Sequence, residues 1–296
     1  MYKKVLALAL ALGLTASLAA CGGSSSSAPA GSAAASGSAS GSASGSAAAS
    51  APAETVVLKV AASPTPHAEI LGAVKDILAE EGIDLQVTEY GDYVVPNTAV
   101  EEGDEDANYF QHQPYLDNFN AENGTHLVSA GGIHIEPMGV YAGKTKTLAD
   151  LPDGAVIAVP NDATNEGRAL LLLEAQGLIT LKDSSNLEST PNDIAENPKN
   201  LQFKELEAAM LPNTVEEVDL SVINGNYALQ AGLHASDALA IEDASGDAAQ
   251  TYANIVACRA GEENSAKIQA LVKALQSDAV KTYIENTYNG AVVAIF

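Results

Sequence analysis

Basic residues are scarce in this chain. Lysine and arginine number 14 against 38 aspartates and glutamates, which leaves a formal net charge of -24. A surface this acidic repels a phosphate backbone, so nucleic acid is excluded as a partner. Tryptophan is absent, and aromatics make up only 5% of the residues. Cysteine occurs twice in 296 residues, too seldom for a disulfide framework. The apolar stretch Val5 to Leu18 is shorter than the ~20 residues a membrane-crossing helix needs, and no second candidate span appears. Marks of common enzyme classes are missing too. There is no nucleophile elbow, P-loop, dinucleotide fingerprint or His-Glu-x-x-His. Thr251 and the many serines have no base that the sequence places beside them. The expectation is a protein that is not an enzyme, with no cofactor and no resident metal.

What is present begins at the amino terminus. Lys3 and Lys4 precede the uncharged apolar stretch, and small residues follow in Leu18-Ala19-Ala20-Cys21. A positive start, a short apolar core and small residues before a cut describe a secretory signal. With a cysteine directly after Leu-Ala-Ala, the segment resembles a bacterial lipoprotein signal. That resemblance implies a signal peptide over 1–20, lipid on Cys21, and a mature protein anchored at the extracytoplasmic face of the cell membrane. Residues 21–54 are nearly all Gly, Ser and Ala after the cysteine. Such a segment buries too little apolar surface to offset its ordering entropy. It is expected to act as a flexible tether reaching roughly 30 Å. With Cys21 acylated, Cys258 has no partner within the chain. It stands beside Ile255-Val256-Ala257 and reads as a small core residue rather than a catalytic thiol.

The remainder, about 240 residues, suffices for one large domain or two lobes. Val56 to Ala62 is a β-rich run suited to a strand buried on both faces. Ser63-Pro64-Thr65-Pro66 breaks it, and Ile70, Leu71, Val74, Ile77 and Leu78 set a helix over about 67–81. Gly82 stops that helix, and Leu85 to Tyr90 returns as a strand, completing a parallel βαβ unit. Alternation continues, with helices over 96–102, 114–123 and 166–176 and strands over 156–159, 201–205 and 220–223. Two final helices follow, one carrying Ile268, Leu271, Val272 and Leu275. The fold class is α/β. Extended stretches at 133–141 and 252–259 are read as passages between two lobes, 55–138 with 255–296 and 139–254. A cleft between two such sheets is where a ligand is expected.

Few residues stand out chemically. Arg168 lies in an otherwise apolar helix, just after Asn161-Asp162-Ala163-Thr164-Asn165. Its guanidinium fits a ligand carboxylate, or equally an acidic side chain of this acidic protein. Tyr93, Tyr109, Phe110, His112 and Tyr115 concentrate rings in a ring-poor chain; some belong to the core, others to an apolar wall for a ligand. Asn224 and Asn226 lie at a strand end and Asn254 on the second passage, positions suited to turns or to ligand recognition. His134 and Glu136 share a strand face. With His67 and His112 they make a metal site conceivable, although hydrogen-bonding roles at the surface and in the cleft are the preferred reading.

Several ordered motifs carry a resemblance over nearly all of 56–296. They include Pro66-His67-Ala68-Glu69-Ile70-Leu71, Tyr93-Val94-Val95-Pro96-Asn97, Ala107-Asn108-Tyr109-Phe110-Gln111-His112-Gln113-Pro114-Tyr115-Leu116, Thr164-Asn165-Glu166-Gly167-Arg168, Val222-Ile223-Asn224 and Tyr252-Ala253-Asn254-Ile255-Val256. In these the chain resembles the methionine-binding lipoproteins of ABC importers. The resemblance implies a two-lobed, type II periplasmic-binding-protein fold, with methionine or a closely related small ligand enclosed between the lobes. Arg168 would take the α-carboxylate, and Asn224 and Asn254 the α-amino and carboxylate groups. Tyr93, Phe110 and His112, with Tyr115, would surround the thioether. The implied partners are an ABC permease with its ATPase, and the membrane through the lipid anchor; a monomer is expected. Ala163 stands where proline is usual, and Cys258 where an aliphatic residue is.

Overall fold

The computed structural model describes residues 55–296, so the signal peptide, Cys21 and the tether lie outside the described residues. The chain opens with β1 (Val56–Ala62), a helical turn at Pro64–Ala68, α1 (Glu69–Glu80), β2 (Ile83–Glu89), α2 (Val95–Glu102), β3 (Ala107–His112), α3 (Gln113–Asn123) and β4 (Leu127–Ile135). A second group follows: β5 (Gly139–Ala142), β6 (Val156–Pro160), α4 (Ala163–Ala175), β7 (Thr180–Leu181), β8 (Ile194–Glu196), β9 (Gln202–Leu206), a 3-10 segment at Ala208–Glu217, β10 (Leu220–Ile223), α5 (Gly225–Gln230) and β11 (Ala238–Ile241). The chain ends with α6 (Asp247–Thr251), β12 (Asn254–Arg259), α7 (Ala266–Leu275), α8 (Asp278–Tyr288) and β13 (Val293–Ala294).

These strands form two main sheets. The first runs β13-β4-β12-β3-β1-β2 and the second β11-β5-β10-β6-β9; β7 and β8 pair by themselves. β1 is parallel to β2 and β3, and β6 is parallel to β9 and β10. The expected α/β class and the first βαβ unit are therefore present. Each sheet has its own apolar core. Ile70, Leu71, Val74 and Leu78 of α1 are fully buried against the first sheet, each contributing roughly 1.5–3 kcal/mol of burial. Leu170, Leu172 and Leu173 of α4 do the same for the second, which is why that leucine run has no polar face. Cys258 is 0% exposed in the first core, and burial pushes its thiol up to about 11.

Several expectations need correction. His67 lies on the turn before α1, not inside the helix. α4 starts at Ala163, because the Asp162 side chain accepts from Asn165 N and caps it; Arg168 is one turn further in than the sequence suggested. β1 is buried on both faces only in its second half, since Val56 and Val57 are 48% and 43% exposed. The stretch 252–259 is largely not a passage. β12 is an interior strand of the first sheet, antiparallel to both β3 and β4, and the passage precedes it. β4 continues to Ile135, so the first passage narrows to Glu136-Pro137-Met138. His67 and His134 are buried, at 1% and 0% exposed, rather than at the surface.

Candidate functional site

Parallel strands of an open α/β sheet end their carboxyl termini at a crevice, and here two sheets do so on one cavity. β3 ends on His112, β4 leads to Glu136, and β10 leads to Asn224. β6 leads through Asp162 into α4, which carries Asn165 and Arg168; antiparallel β12 begins there, at Asn254. The cavity is narrow and is lined by all seven residues singled out above, Tyr93, Phe110, His112, Tyr115, Arg168, Asn224 and Asn254. Gln111, Glu136, Asn165, Gly225 and Asn226 complete the lining.

One end is aromatic. Tyr93 stands 5.7 Å from Phe110 and 5.8 Å from Tyr115, ring centre to ring centre, and Phe110 and Tyr115 are 6.0 Å apart. The Tyr115 hydroxyl donates to the Tyr93 carbonyl at 3.0 Å, and the Tyr93 hydroxyl donates to Asn226 Oδ1 at 2.6 Å. Burial raises the hydroxyl pKa values of Tyr93 and Tyr115 here, and of Tyr227 packed against Tyr93. They serve as neutral donors. Tyr109 departs from this group: it is 0% exposed and bonds His134 behind the cavity.

The other end is polar. His112 Nδ1 accepts from Tyr115 N at 3.2 Å, capping α3, so its Nε2 carries the proton and donates to Asn165 Oδ1 at 3.2 Å. Burial, then the Arg168 charge, pulls His112 down to about 3. The same Asn165 oxygen accepts from Asn224 Nδ2 at 2.7 Å, while Asn165 Nδ2 donates to Asp162 at 2.8 Å. This chain of donors leaves Asn224 Oδ1 and Asn226 Nδ2 buried without partners. A buried polar group left so costs about 1–3 kcal/mol, and both residues border the cavity.

Arg168 answers both readings offered by the sequence. Its Nε donates to Glu242 Oε1 at 2.9 Å, its Nη2 pairs with Glu242 Oε2, and Nη2 also reaches the Glu136 carbonyl at 3.0 Å. It therefore does pair with an acidic side chain. Its ring neighbour is Tyr252, 4.3 Å from Cζ. No protein acceptor is bonded to Nη1 among the described residues, and Arg168 borders the cavity. Glu242 was not foreseen, because a single glutamate in the polar run after β11 carries no local signal.

His67, His134 and Glu136 come together, with ligand atoms within 4.8 Å of one another. His112 is not part of that group. Two histidines and a carboxylate can hold zinc, but both Nε2 atoms already face one carboxylate oxygen, at 3.2 and 2.7 Å. Ligation through His67 Nε2 would force its proton onto Nδ1, which is buried without a partner. The arrangement fits hydrogen bonding better than a metal.

Comparison with known proteins follows from this geometry. Bacillus subtilis (strain 168) has a relative named methionine-binding lipoprotein MetQ, 44% identical over 241 residues, covering 80% of this chain and 87% of that protein. The solved structure of a nutrient binding protein from Burkholderia cenocepacia bound to methionine matches with a TM-score of 0.77 and 47% identity, over 81% of this chain and 100% of that one. A periplasmic substrate-binding protein of an ABC transporter from Coxiella burnetii matches at TM-score 0.76 and 40% identity, over 80% and 100%. These likenesses agree with the two-lobed periplasmic-binding-protein fold that the motifs implied. The family model described as NlpA lipoprotein matches residues 58–296, and the chain belongs to that family.

Proposed function

We propose that the chain is the solute-binding component of an ABC importer, that it captures L-methionine in the cavity, and that it binds rather than transforms its ligand. The observation that carries this reading is one cavity with two chemically opposite ends. At one end stand a cation with a free N–H, Arg168 Nη1, and the unpartnered acceptor Asn224 Oδ1; at the other stand three rings. An amino acid's carboxylate and ammonium suit the first end, and a polarizable thioether suits the second, since sulfur–ring contacts are favourable. Relatives named for methionine, and a methionine-bound structural neighbour, support the choice of side chain.

The two sheets are taken as the cores of two lobes, 55–138 with 255–296 and 139–254, which close about the ligand. Cys21 carries the lipid that keeps the receptor on the extracytoplasmic face of the membrane, near its permease and ATPase. No helix among the described residues is long and apolar enough to cross a membrane, which suits an anchor of that kind. A thermal-shift screen of ligand-stripped protein against L-methionine, D-methionine, a methionine dipeptide and zinc tests the proposal. Ligand at ~100 times its dissociation constant adds about 2.7 kcal/mol of stability. L-methionine should give the largest shift; a shift with zinc or the dipeptide alone would refute the assignment.

A further inference from the structure

His67 lines none of the cavity, yet it touches two residues that do. It lies on the turn after β1, and its Nε2 is 3.0 Å from Asn254 Oδ1 and 3.2 Å from Glu136 Oε1. Those two residues stand where the two passages meet the first sheet. Glu136 follows β4, and Asn254 opens β12. Burial pulls the imidazole down to about 4, so the ring is neutral and has a single N–H.

The neighbours decide which nitrogen carries it. Both atoms facing Nε2 are acceptor oxygens, so the proton sits there. Turning the Asn254 amide over would set its NH2 against Nε2. The ring would then have to present a lone pair to that amide, and the same lone pair would face the carboxylate. His134 obeys the same logic. The Tyr109 hydroxyl donates to its Nδ1, which leaves Nε2–H for Glu136 Oε1 at 2.7 Å. Glu136 Oε1 thus accepts from the His134 ring N–H, and the single His67 N–H goes to the Asn254 oxygen, with Glu136 Oε1 close beside it.

We infer that His67 is a positioning residue for ligand recognition: it holds the Asn254 amide oxygen inward, so that the NH2 faces the cavity as a donor for a carboxylate. This rests on the amino-acid reading of the cavity and sharpens it. Asn254 then meets the ligand's carboxylate together with Arg168, and Asn224, whose Oδ1 lacks a partner, meets the ammonium.

Two substitutions test the assignment. His67→Gln keeps an N–H near the Nε2 position, whereas His67→Phe keeps the ring and loses the donor. Calorimetry would compare L-methionine with L-methioninamide, in which the carboxylate is replaced by a group with its own N–H. In His67→Phe the Asn254 amide is free to turn. Affinity for methionine should fall about tenfold, the scale of one unpaired buried hydrogen-bonding group. The amide should lose less, so the preference for the carboxylate narrows, and His67→Gln should restore it. Equal losses for both ligands, or an unaltered preference, would reduce His67 to packing and overturn the inference. Failure of wild-type protein to bind methionine would instead overturn the ligand assignment. Nitrogen-15 NMR of the ring reads His67 without any ligand or variant: protonated Nε2 with bare Nδ1 agrees, and the opposite tautomer contradicts.

Discussion

Arg168 and Glu166 stand two positions apart on α4 and show how differently charge behaves when buried. Arg168 is 4% exposed and keeps its charge through Glu242. Glu166 is 5% exposed, with Oε1 unpartnered. Burial, then the neighbouring charge and hydrogen bond of Glu205, push its pKa from 4.5 to about 8. Between those values the folded chain holds a proton that the unfolded chain has released. The carboxyl's contribution to stability is therefore present at acid pH and lost as pH rises through about 8. Glu166→Gln removes the dependence. The melting temperature of the variant relative to wild type should climb between pH 5 and pH 8.5; a constant difference would contradict the raised value. Residue chemistry of this kind was partly legible beforehand. Arg168 stood out because cations are rare, whereas the burial of Glu166 depends on a strand, β9, that meets α4 only in the fold.

At the scale of elements, α4 matters most, because it carries both Asn165 and Arg168 to the cavity. Its position is fixed by close backbone approach. A Cβ on Gly167 would overlap the carbonyl oxygen of Leu187 and come within 3.0 Å of Ser189 N. Gly167→Ala should therefore destabilise by about 1–3 kcal/mol, as overpacking does. In urea this appears as a lower midpoint with an unaltered slope. An unchanged midpoint would mean that α4 does not pack on 187–189. Apolar spacing foretold α1, α7 and the strands β6 and β10 closely, since those faces repeat at helix or strand period. It placed the start of α4 late, because the capped first turn Ala163-Thr164-Asn165 has no apolar periodicity. Nor did it foresee that β12 slots between β3 and β4. Strand order is set by pairing partners far apart in sequence, not by the strand itself.

For the whole molecule, the consequence is that the groups lining the cavity come from both sheets. Asn254 opens β12 and Glu136 follows β4 of the first, while Asn224 follows β10 of the second and Arg168 stands on α4, which packs against that sheet. Hydrogen bonds already span the cleft, from His112 to Asn165, from Tyr93 to Asn226 and, at 3.2 Å, from Tyr227 to the Gly91 carbonyl. A ligand seated between them adds contacts to both sides and so favours the closed arrangement. The most direct test is calorimetry of L-methionine binding to the intact chain, stripped of ligand by unfolding and refolding, beside Arg168→Ala. One methionine should bind per chain, and the variant should lose about 2–5 kcal/mol of that affinity, because the ligand carboxylate would be buried without its cation. Wild-type protein that releases no heat with methionine, or a variant that binds it as tightly as wild type, would contradict the account.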